Sequence, residues 1–157
     1  MSLHLPNNFE PQVLVKEDYI ARKLAARDVD LDYEAVMSSI DIIKATRGGK
    51  WPEADLTKED DLIDLSWHQR EFEFNSSFAF TVMNKDETKC LGCIYFYPPR
   101  NEKSDSDVSI SWWVTQEMYD KGFYEVLSKD VKEWVETKWP FKEVFWANKQ
   151  LPKEIFG

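Results

Sequence analysis

Short stretches of apolar residues, or of apolar residues alternating with polar ones, predict five β-strands. The first covers Tyr19 to Ala25, and Val13 to Val15 are expected to pair with it at a sheet edge. The other four cover residues 78–84, 90–97, 107–114 and 143–147. Because only short connections separate the three middle strands, they are predicted to form an antiparallel meander. A polar loop is predicted at 100–106.

Apolar residues at helical spacing predict three helices. The first covers residues 28–48, from the N-cap options at its start to a glycine at its end. The second covers residues 57–75 and begins at the capping pattern Thr57-x-x-Asp60. The third covers residues 121–138 and stops before a Trp-Pro pair, since the residue before proline is pushed out of the helical region.

The element order is therefore β, α, α, β, β, β, α, β. The last helix lies between the strands at 107–114 and 143–147, and such a crossover places two strands parallel. The predicted fold class is α+β, with a mixed sheet made of an antiparallel meander and one parallel crossover, flanked by helices. A chain of 157 residues is expected to form one domain over 1–157, with an extended arm at 1–18 and an unpatterned tail at 148–157.

The charge balance narrows the function classes. A net charge of −9 and the lack of a basic stripe predict no nucleic-acid partner and no binding to an anionic membrane. No signal-peptide pattern and no stretch near ~20 apolar residues occurs, so a cytoplasmic protein is expected. Acidic surfaces usually serve solubility alone, but this one would also attract an amine-bearing substrate.

Cys90 and Cys93 form a C-x-x-C pattern, which suggests a redox pair or half of a zinc site. A strand, however, would place these positions on opposite faces of the sheet. The chain has no second cysteine pair and only two histidines. Two small core thiols, and no metal, are therefore the favoured interpretation, and reduced thiols fit the cytoplasm.

One stretch resembles the donor-binding loop of the GNAT (N-acetyltransferase) superfamily, in which a strand ending in Val runs into Val-x-Pro-Glu-Tyr-Arg-Gly-Lys-Gly-x-Gly and a helix. Four residues fall at that spacing: Val114, Glu117, Lys121 and Gly122. Leu91-Gly92 is similar to the family's apolar-Gly-apolar strand. The element order also resembles the family's, over about residues 19–147. The resemblance implies an acyl-CoA N-acyltransferase-like fold.

The resemblance further implies acetyl-CoA as co-substrate, with its pyrophosphate at a helix N-terminus, where unpaired amides and the dipole favour anions. The strand amide near Val114 would polarise the thioester carbonyl. The implied donor-binding residues are Val114, Tyr119, Lys121, Gly122, Phe123, Tyr124 and Asn148. Tyr119 replaces an expected Gln or Arg, and Tyr124 an expected Gly or Ala, so donor binding is expected to be weakened or altered.

Family members usually continue with another helix and two more strands. That helix often holds an Asn that contacts the donor and a Tyr that protonates the departing thiolate. Ten residues follow Ala147 here, with Asn148 near the expected Asn and no Tyr after it. No residue is therefore predicted as the general acid.

His68 and Glu71 are the candidate catalytic residues, because i, i+3 positions share a helix face and His titrates near neutral pH. The alternative is a partly exposed helical His beside a carboxylate. Tyr95, Tyr97 and Trp112 are candidate substrate-binding residues, although strand aromatics more often pack in the core.

Two functions of different class follow from the sequence. The first is an acetyl-CoA-dependent N-acetyltransferase that acts on a small amine or a peptide-like acceptor. The second is a catalytically inactive GNAT-like binding or dimerisation module. Proteins normally pair or protect a free sheet edge, and here either a second copy in a homodimer or the N-terminal arm would cover it.

Overall fold

The centre of the protein is a six-stranded mixed sheet in the order β1-β2-β3-β4-β5-β6. The structure is a computed structural model that describes residues 3–99 and 105–157. The strands are β1 (Leu14–Val15), β2 (Tyr19–Lys23), β3 (Phe78–Asn84), β4 (Cys90–Tyr97), β5 (Val108–Val114) and β6 (Val144–Trp146). All neighbours pair antiparallel except β5 and β6, which are parallel. The predicted α+β fold class, with its meander and its parallel crossover, is confirmed.

The helices are α1 (Val29–Met37), α2 (Ile40–Arg47), α3 (Lys58–Glu73), α4 (Gln116–Asp120), α5 (Phe123–Lys138) and α6 (Lys153–Phe156), with a 3-10 turn at Ala26–Asp28 before α1. The predicted capping pattern of α3 forms. The Asp60 amide donates to Thr57 Oγ1 at 3.1 Å, and the Thr57 amide donates to the Asp60 carboxylate at 3.3 Å. These two bonds satisfy donors that a helix start leaves unpaired.

The single helix predicted over 28–48 is wrong, because Ser38 and Ser39 divide it into α1 and α2. Ser38 Oγ donates to the carbonyl of Ala35 at 3.0 Å. Ser39 leaves the helical region with φ −136°, and its Oγ accepts the Gln116 amide at 2.9 Å. Serine side chains compete with helical hydrogen bonds in this way.

The helix predicted from residue 121 begins two residues later, after the short α4. Thr115 caps α4 by accepting the Met118 amide at 3.2 Å. Gly122 then adopts φ +85°, a left-handed conformation that glycine takes at little cost, and α5 starts at Phe123. The tail at 148–157, predicted without pattern, contains α6. The polar loop predicted at 100–106 lies outside the described residues at 100–104.

Each face of the sheet has its own core. Helix α5 and the tail pack on one face, where Phe80, Phe96, Trp112 and Trp134 are buried. Helices α1 to α3 pack on the other. In β4 a bulge lies at Leu91, because Gly92 pairs with Val82 and Cys90 with Met83.

The bulge corrects the prediction that Cys90 and Cys93 lie on opposite faces. An extra residue in one strand shifts the alternation of side chains by one position. Both cysteines consequently belong to the core under α1 to α3.

Candidate functional site

Strands β5 and β6 separate soon after they meet. They pair from Val108 and Val144 to Ile110 and Trp146, and the Ala147 amide donates to the Ile110 carbonyl at 2.8 Å. Every second residue of a strand directs its backbone groups to the same edge. The amide and carbonyl groups of Trp112, and next those of Val114, therefore face the edge that β6 has left. We call this gap the splay.

The side chain of Asn148 fills the splay beside Trp112. Its Oδ1 accepts the Trp112 amide at 3.0 Å, and its Nδ2 donates to the Trp112 carbonyl at 3.0 Å. The same Nδ2 donates to the Tyr124 hydroxyl at 2.8 Å, and that hydroxyl donates to the Gln150 carbonyl. Asn148 is only 6% exposed. One side-chain amide thus takes the place of a neighbouring strand.

The N-terminus of α5 lies beside the splay, because Tyr124 in its first turn is bonded to Asn148. No side chain caps this 16-residue helix, so the amides and the positive dipole end of its first turn can face an anion. Lys121 pairs with Glu117 at 3.2 Å, and Glu117 also pairs with Lys89 at 2.6 Å. These two lysines hold the pKa of Glu117 below its usual range, Lys89 with the larger effect. The cation predicted to help a phosphate is engaged with a carboxylate.

The ring of Tyr124 points into the core rather than out over the helix start. It is 6% exposed, and the ring of Tyr119 lies 5.7 Å away. Burial raises the pKa of the Tyr124 hydroxyl, while the Asn148 hydrogen bond opposes that shift. Phe123 is also buried and packs edge-on against Tyr19 at 5.2 Å. The Tyr124 hydroxyl therefore lies in the splay with Asn148, and no side chain caps the first turn of α5.

A cavity of about 690 Å³ lies on the other face of the sheet, between α2, α3 and the strands β4 to β6. Such a volume is typical of small-molecule sites. Five large aromatic side chains line it: Trp51, Trp67, Tyr95, Tyr97 and Phe145. Ser111 and Ala147 also line the cavity. Their neighbours in sequence, Trp112 and Asn148, are hydrogen-bonded to each other in the splay. The cavity and the splay therefore adjoin along β5.

His68 lies at the wall of this cavity. It is 5% exposed and stacks near Tyr97, with 6.3 Å between ring centroids. Its Nε2 lies 3.6 Å from the Asp64 carboxylate, one helical turn earlier. Within residues 3–99 and 105–157, its buried Nδ1 has no hydrogen-bond partner. Glu71, the other candidate from the sequence, is not among the cavity residues; the structure brings Asp64 to His68 instead.

Arg47 also lines the cavity, although no pattern in the sequence indicates it as a site residue. Its guanidinium lies 4.1 Å from the centre of the Tyr95 ring and 5.8 Å from that of Trp51. Its Nε donates to Ser111 Oγ at 3.1 Å. Burial raises the pKa of Tyr97 to about 12, and the charge of Arg47 opposes that shift. Its place at the end of a helix, before two glycines, gave no indication of this role.

Of the three aromatic candidates, Tyr95 and Tyr97 line the cavity and Trp112 does not. The Trp112 ring is fully buried under α5, where its Nε1 donates to Ser128 Oγ at 2.9 Å and its ring stacks on Phe156. Trp113 is equally buried on the cavity face, and its Nε1 donates to the Tyr95 hydroxyl at 2.9 Å. Trp113 thus holds Tyr95 in place at the cavity wall.

The cysteines are free thiols in the core. Burial raises the pKa of Cys90 to about 12, and burial also raises the pKa of Cys93 well above its usual range. Among the residues that the structure describes, no group of three or more His, Cys, Asp or Glu side chains is placed to hold a metal ion. Over the same part of the chain, no helix has the length and apolar character needed to cross a membrane.

No protein-family model matches the sequence, and no curated protein matches it significantly. Solved structures do match the fold. A ribosomal-protein-S5-alanine acetyltransferase from Vibrio fischeri superposes with a TM-score of 0.62 at 18% identity, over 80% of this chain and 67% of that one. A putative GnaT-family acetyltransferase from Bordetella pertussis gives 0.57 at 12% identity, over 81% and 73%.

The microcin C7 self-immunity acetyltransferase MccE, solved with acetyl-CoA and AMP, gives a TM-score of 0.57 at 15% identity. That match covers 78% of this chain and 65% of the MccE chain, so this chain spans less than two thirds of that relative. Identities this low establish the fold alone. Taken with the mixed sheet, the parallel crossover and the splay, they show that this chain has the fold of the GNAT superfamily.

Proposed function

We propose that the protein is an acetyl-CoA-dependent N-acetyltransferase that acts on a small amine. The observation that supports this most is the junction of the splay with the aromatic cavity along β5. The uncapped first turn of α5, joined to Asn148 through Tyr124, lies on one side of this junction, and the cavity with His68 and Asp64 lies on the other. A donor and an acceptor could therefore meet at Trp112 and Val114.

The acceptor amine must lose a proton before it can attack an acetyl carbonyl. His68 is the proposed base, because it lines the cavity and its Nε2 faces the Asp64 carboxylate, which would stabilise the protonated ring. The Val114 amide is the proposed hydrogen-bond donor to the carbonyl oxygen as charge develops on it. The acetyl group comes from acetyl-CoA: a C–N bond forms between the amine nitrogen and the carbonyl carbon, the C–S bond breaks, the amine proton passes to His68, and CoA leaves as the thiolate, which water protonates to the free thiol.

The fit of the donor depends on Asn148. The first turn of α5 is uncapped and suits a phosphate, although Glu117 and Asp120 add negative charge nearby. The backbone groups of Trp112, in contrast, are already bonded to Asn148. A donor arm can pair with this part of β5 only after the Asn148 side chain leaves it, so the proposal includes that movement.

Two measurements test the proposal. Titration calorimetry with acetyl-CoA is expected to show saturable binding, tighter in Asn148→Ala than in the natural chain because the competitor for Trp112 is gone. Asn148→Asp, which keeps the acceptor and loses the donor, is the matched control and should lie between them. A thiol reagent should then detect release of free CoA when an amine is added. The proposal would be contradicted if neither the natural chain nor Asn148→Ala showed a heat of binding at millimolar acetyl-CoA.

The second candidate function, a binding module without catalysis, is favoured by the same hydrogen bonds. If Asn148 and Tyr124 fill the splay permanently, the cavity remains usable and acetyl transfer does not occur. A homodimer belongs to this candidate, since β6 is an edge strand and its Phe145 is 54% exposed. Analytical ultracentrifugation tests it: a dimer that Phe145→Ser converts to monomer is expected, and a monomer at every concentration contradicts it.

The two free, buried thiols support a reducing compartment, and we propose the cytoplasm as the working place of the protein. Cell fractionation followed by immunoblotting is the direct measurement. Recovery of the protein with the secreted or membrane fraction would contradict this assignment.

A further inference from the structure

Arg47 differs from Arg22, the other part-buried arginine among the described residues. Arg22, which is similarly placed between a strand and helices, pairs with the carboxylates of Asp28 and Glu87. Within the described residues, Arg47 forms no ion pair with any carboxylate; its neighbours include the Ser111 hydroxyl, the rings of Tyr95 and Trp51, and the Tyr97 hydroxyl, whose pKa burial raises and the Arg47 charge lowers. The chain has 29 acidic residues against 20 basic ones, so carboxylates are not scarce.

A cation that is partly removed from water is costly unless an anion compensates it. The planar guanidinium also matches the geometry of a carboxylate or phosphate better than any other side chain does. Asp64 lines the same cavity, and its negative charge disfavours a phosphate dianion there. A single carboxylate is therefore the group that suits Arg47.

The remaining walls restrict the rest of the ligand. Trp51, Trp67 and Phe145 offer apolar rings to a large uncharged body. On α3, Asp64 and His68 face the cavity and suit a positively charged amine. A molecule bound by all three regions carries a carboxylate, an apolar body and an amine.

We infer that the cavity binds a small carboxylate-bearing amine, with its carboxylate on Arg47. The simplest such molecule is an α-amino acid with a large apolar side chain. Acetylation of the amine of this ligand rests on the proposed function, whereas binding of the ligand does not.

Calorimetry without acetyl-CoA tests the inference, with the twenty natural amino acids as probes. At least one amino acid with an aromatic or branched apolar side chain is expected to bind. Its decarboxylated amine should bind at least tenfold more weakly to the natural chain. Arg47→Gln should lower the affinity for the amino acid by tenfold or more. Arg47→Lys, which keeps the charge but lacks the planar guanidinium, should lower that affinity by an intermediate amount.

Arg70→Gln is the matched control, because Arg70 is exposed on α3 and lies outside the cavity. This variant should bind the amino acid with the same affinity as the natural chain. Circular dichroism checks that the Arg47 variants fold, and the comparison of amino acid with amine needs no variant at all. The inference is overturned if no amino acid binds at 10 mM, if the decarboxylated amine binds equally well, or if Arg47→Gln keeps full affinity.

The outcomes also separate this inference from the proposed function. Amino-acid binding with no acetyl-CoA binding and no CoA release leaves the inference standing and removes the acetyltransferase. If CoA is released with amines but Arg47→Gln changes the affinity of no acceptor, the acetyltransferase stands and the inference about Arg47 is removed.

Discussion

Asn148 holds Trp112 by both of its backbone groups, accepting from the amide and donating to the carbonyl, each at 3.0 Å. Because these atoms are buried, removal of the amide leaves them unsatisfied. Asn148→Ala is expected to lower the free energy of unfolding by about 2–3 kcal/mol. Urea denaturation measures the change. The exposed substitution Lys149→Ala is the control. If Asn148→Ala lowers the free energy of unfolding no more than this control does, water replaces the Asn148 side-chain amide without cost.

The buried carboxyl groups of Asp32 and Asp61 face each other between α1 and α3. In the described chain no N–H or O–H donor reaches either oxygen of Asp61, so only a protonated Asp32 carboxyl can donate to it. Burial raises the pKa of both groups, and Asp64 adds to this effect, while His68 lowers the pKa of Asp61.

This pair should make stability depend on pH. A carboxyl whose pKa is higher in the folded state than in the unfolded chain binds extra protons when folded. Its contribution to the free energy of unfolding is therefore fully present below about pH 3.8, the ordinary pKa of an aspartate. That contribution is lost as the pH rises through the pKa of the folded state. Asp61→Asn should stabilise the protein relative to the natural chain at pH 8 and do so much less at pH 5. Urea denaturation at both pH values is the measurement, with the exposed Asp55→Asn as control. An equal effect at both pH values would contradict this account.

Gly92 and Gly122 are predicted to differ in their tolerance of alanine. A Cβ at Gly92 would fall on the carbonyl oxygen of Trp113 in the neighbouring strand, so Gly92→Ala should cost about 3 kcal/mol or prevent folding. At Gly122 nothing lies within 4 Å, and only the left-handed φ is unfavourable, at about 1–2 kcal/mol. Thermal denaturation of both variants decides the order, and a larger loss at Gly122 would show that the sheet moves to admit the methyl group.

Cys90 and Cys93 should be almost unreactive in the folded protein. Thiolate is the reactive form; burial raises the pKa of Cys90 to about 12 and also lifts the pKa of Cys93 well above its usual range. Alkylation at pH 8 is therefore expected to be slower than in urea by on the order of 100-fold. Mass spectrometry of iodoacetamide-treated protein counts the modified thiols. Rapid labelling without denaturant would revive a redox role for the C-x-x-C pattern.

The sequence predicted the sheet better than the site. Alternation and apolar runs identified every strand of the meander, because a short continuous apolar run indicates a strand buried on both faces, as β3 and β4 are. The break at Ser38-Ser39 was missed, since the apolar spacing continues across it and Ser39 is fixed by the distant Gln116 amide. The bulge at Leu91 was missed because only the register against β3 reveals it.

The site depends on contacts between residues far apart in the chain, which no local pattern encodes. Arg47 and Ser111 are separated by 64 positions, and Asn148 and Trp112 by 36. Asn148 was singled out by resemblance alone, as a donor-binding residue, and its bonds to Trp112 were not foreseen. His68 was chosen as a titratable group on a helix, but its neighbour at the cavity, Asp64, precedes it by one turn.

The strictly sequential order of the strands has a consequence for how the chain folds. Each strand pairs with its neighbour in sequence, so β3, β4 and β5 can be joined by closing only short loops. Two pairings need long closures: β2 with β3, across α1 to α3, and β5 with β6, across α5. Loop closure costs more conformational entropy as the loop lengthens. The meander is therefore the part of the sheet that can assemble first, and the splay, which requires β6, is completed only after the α5 crossover has docked.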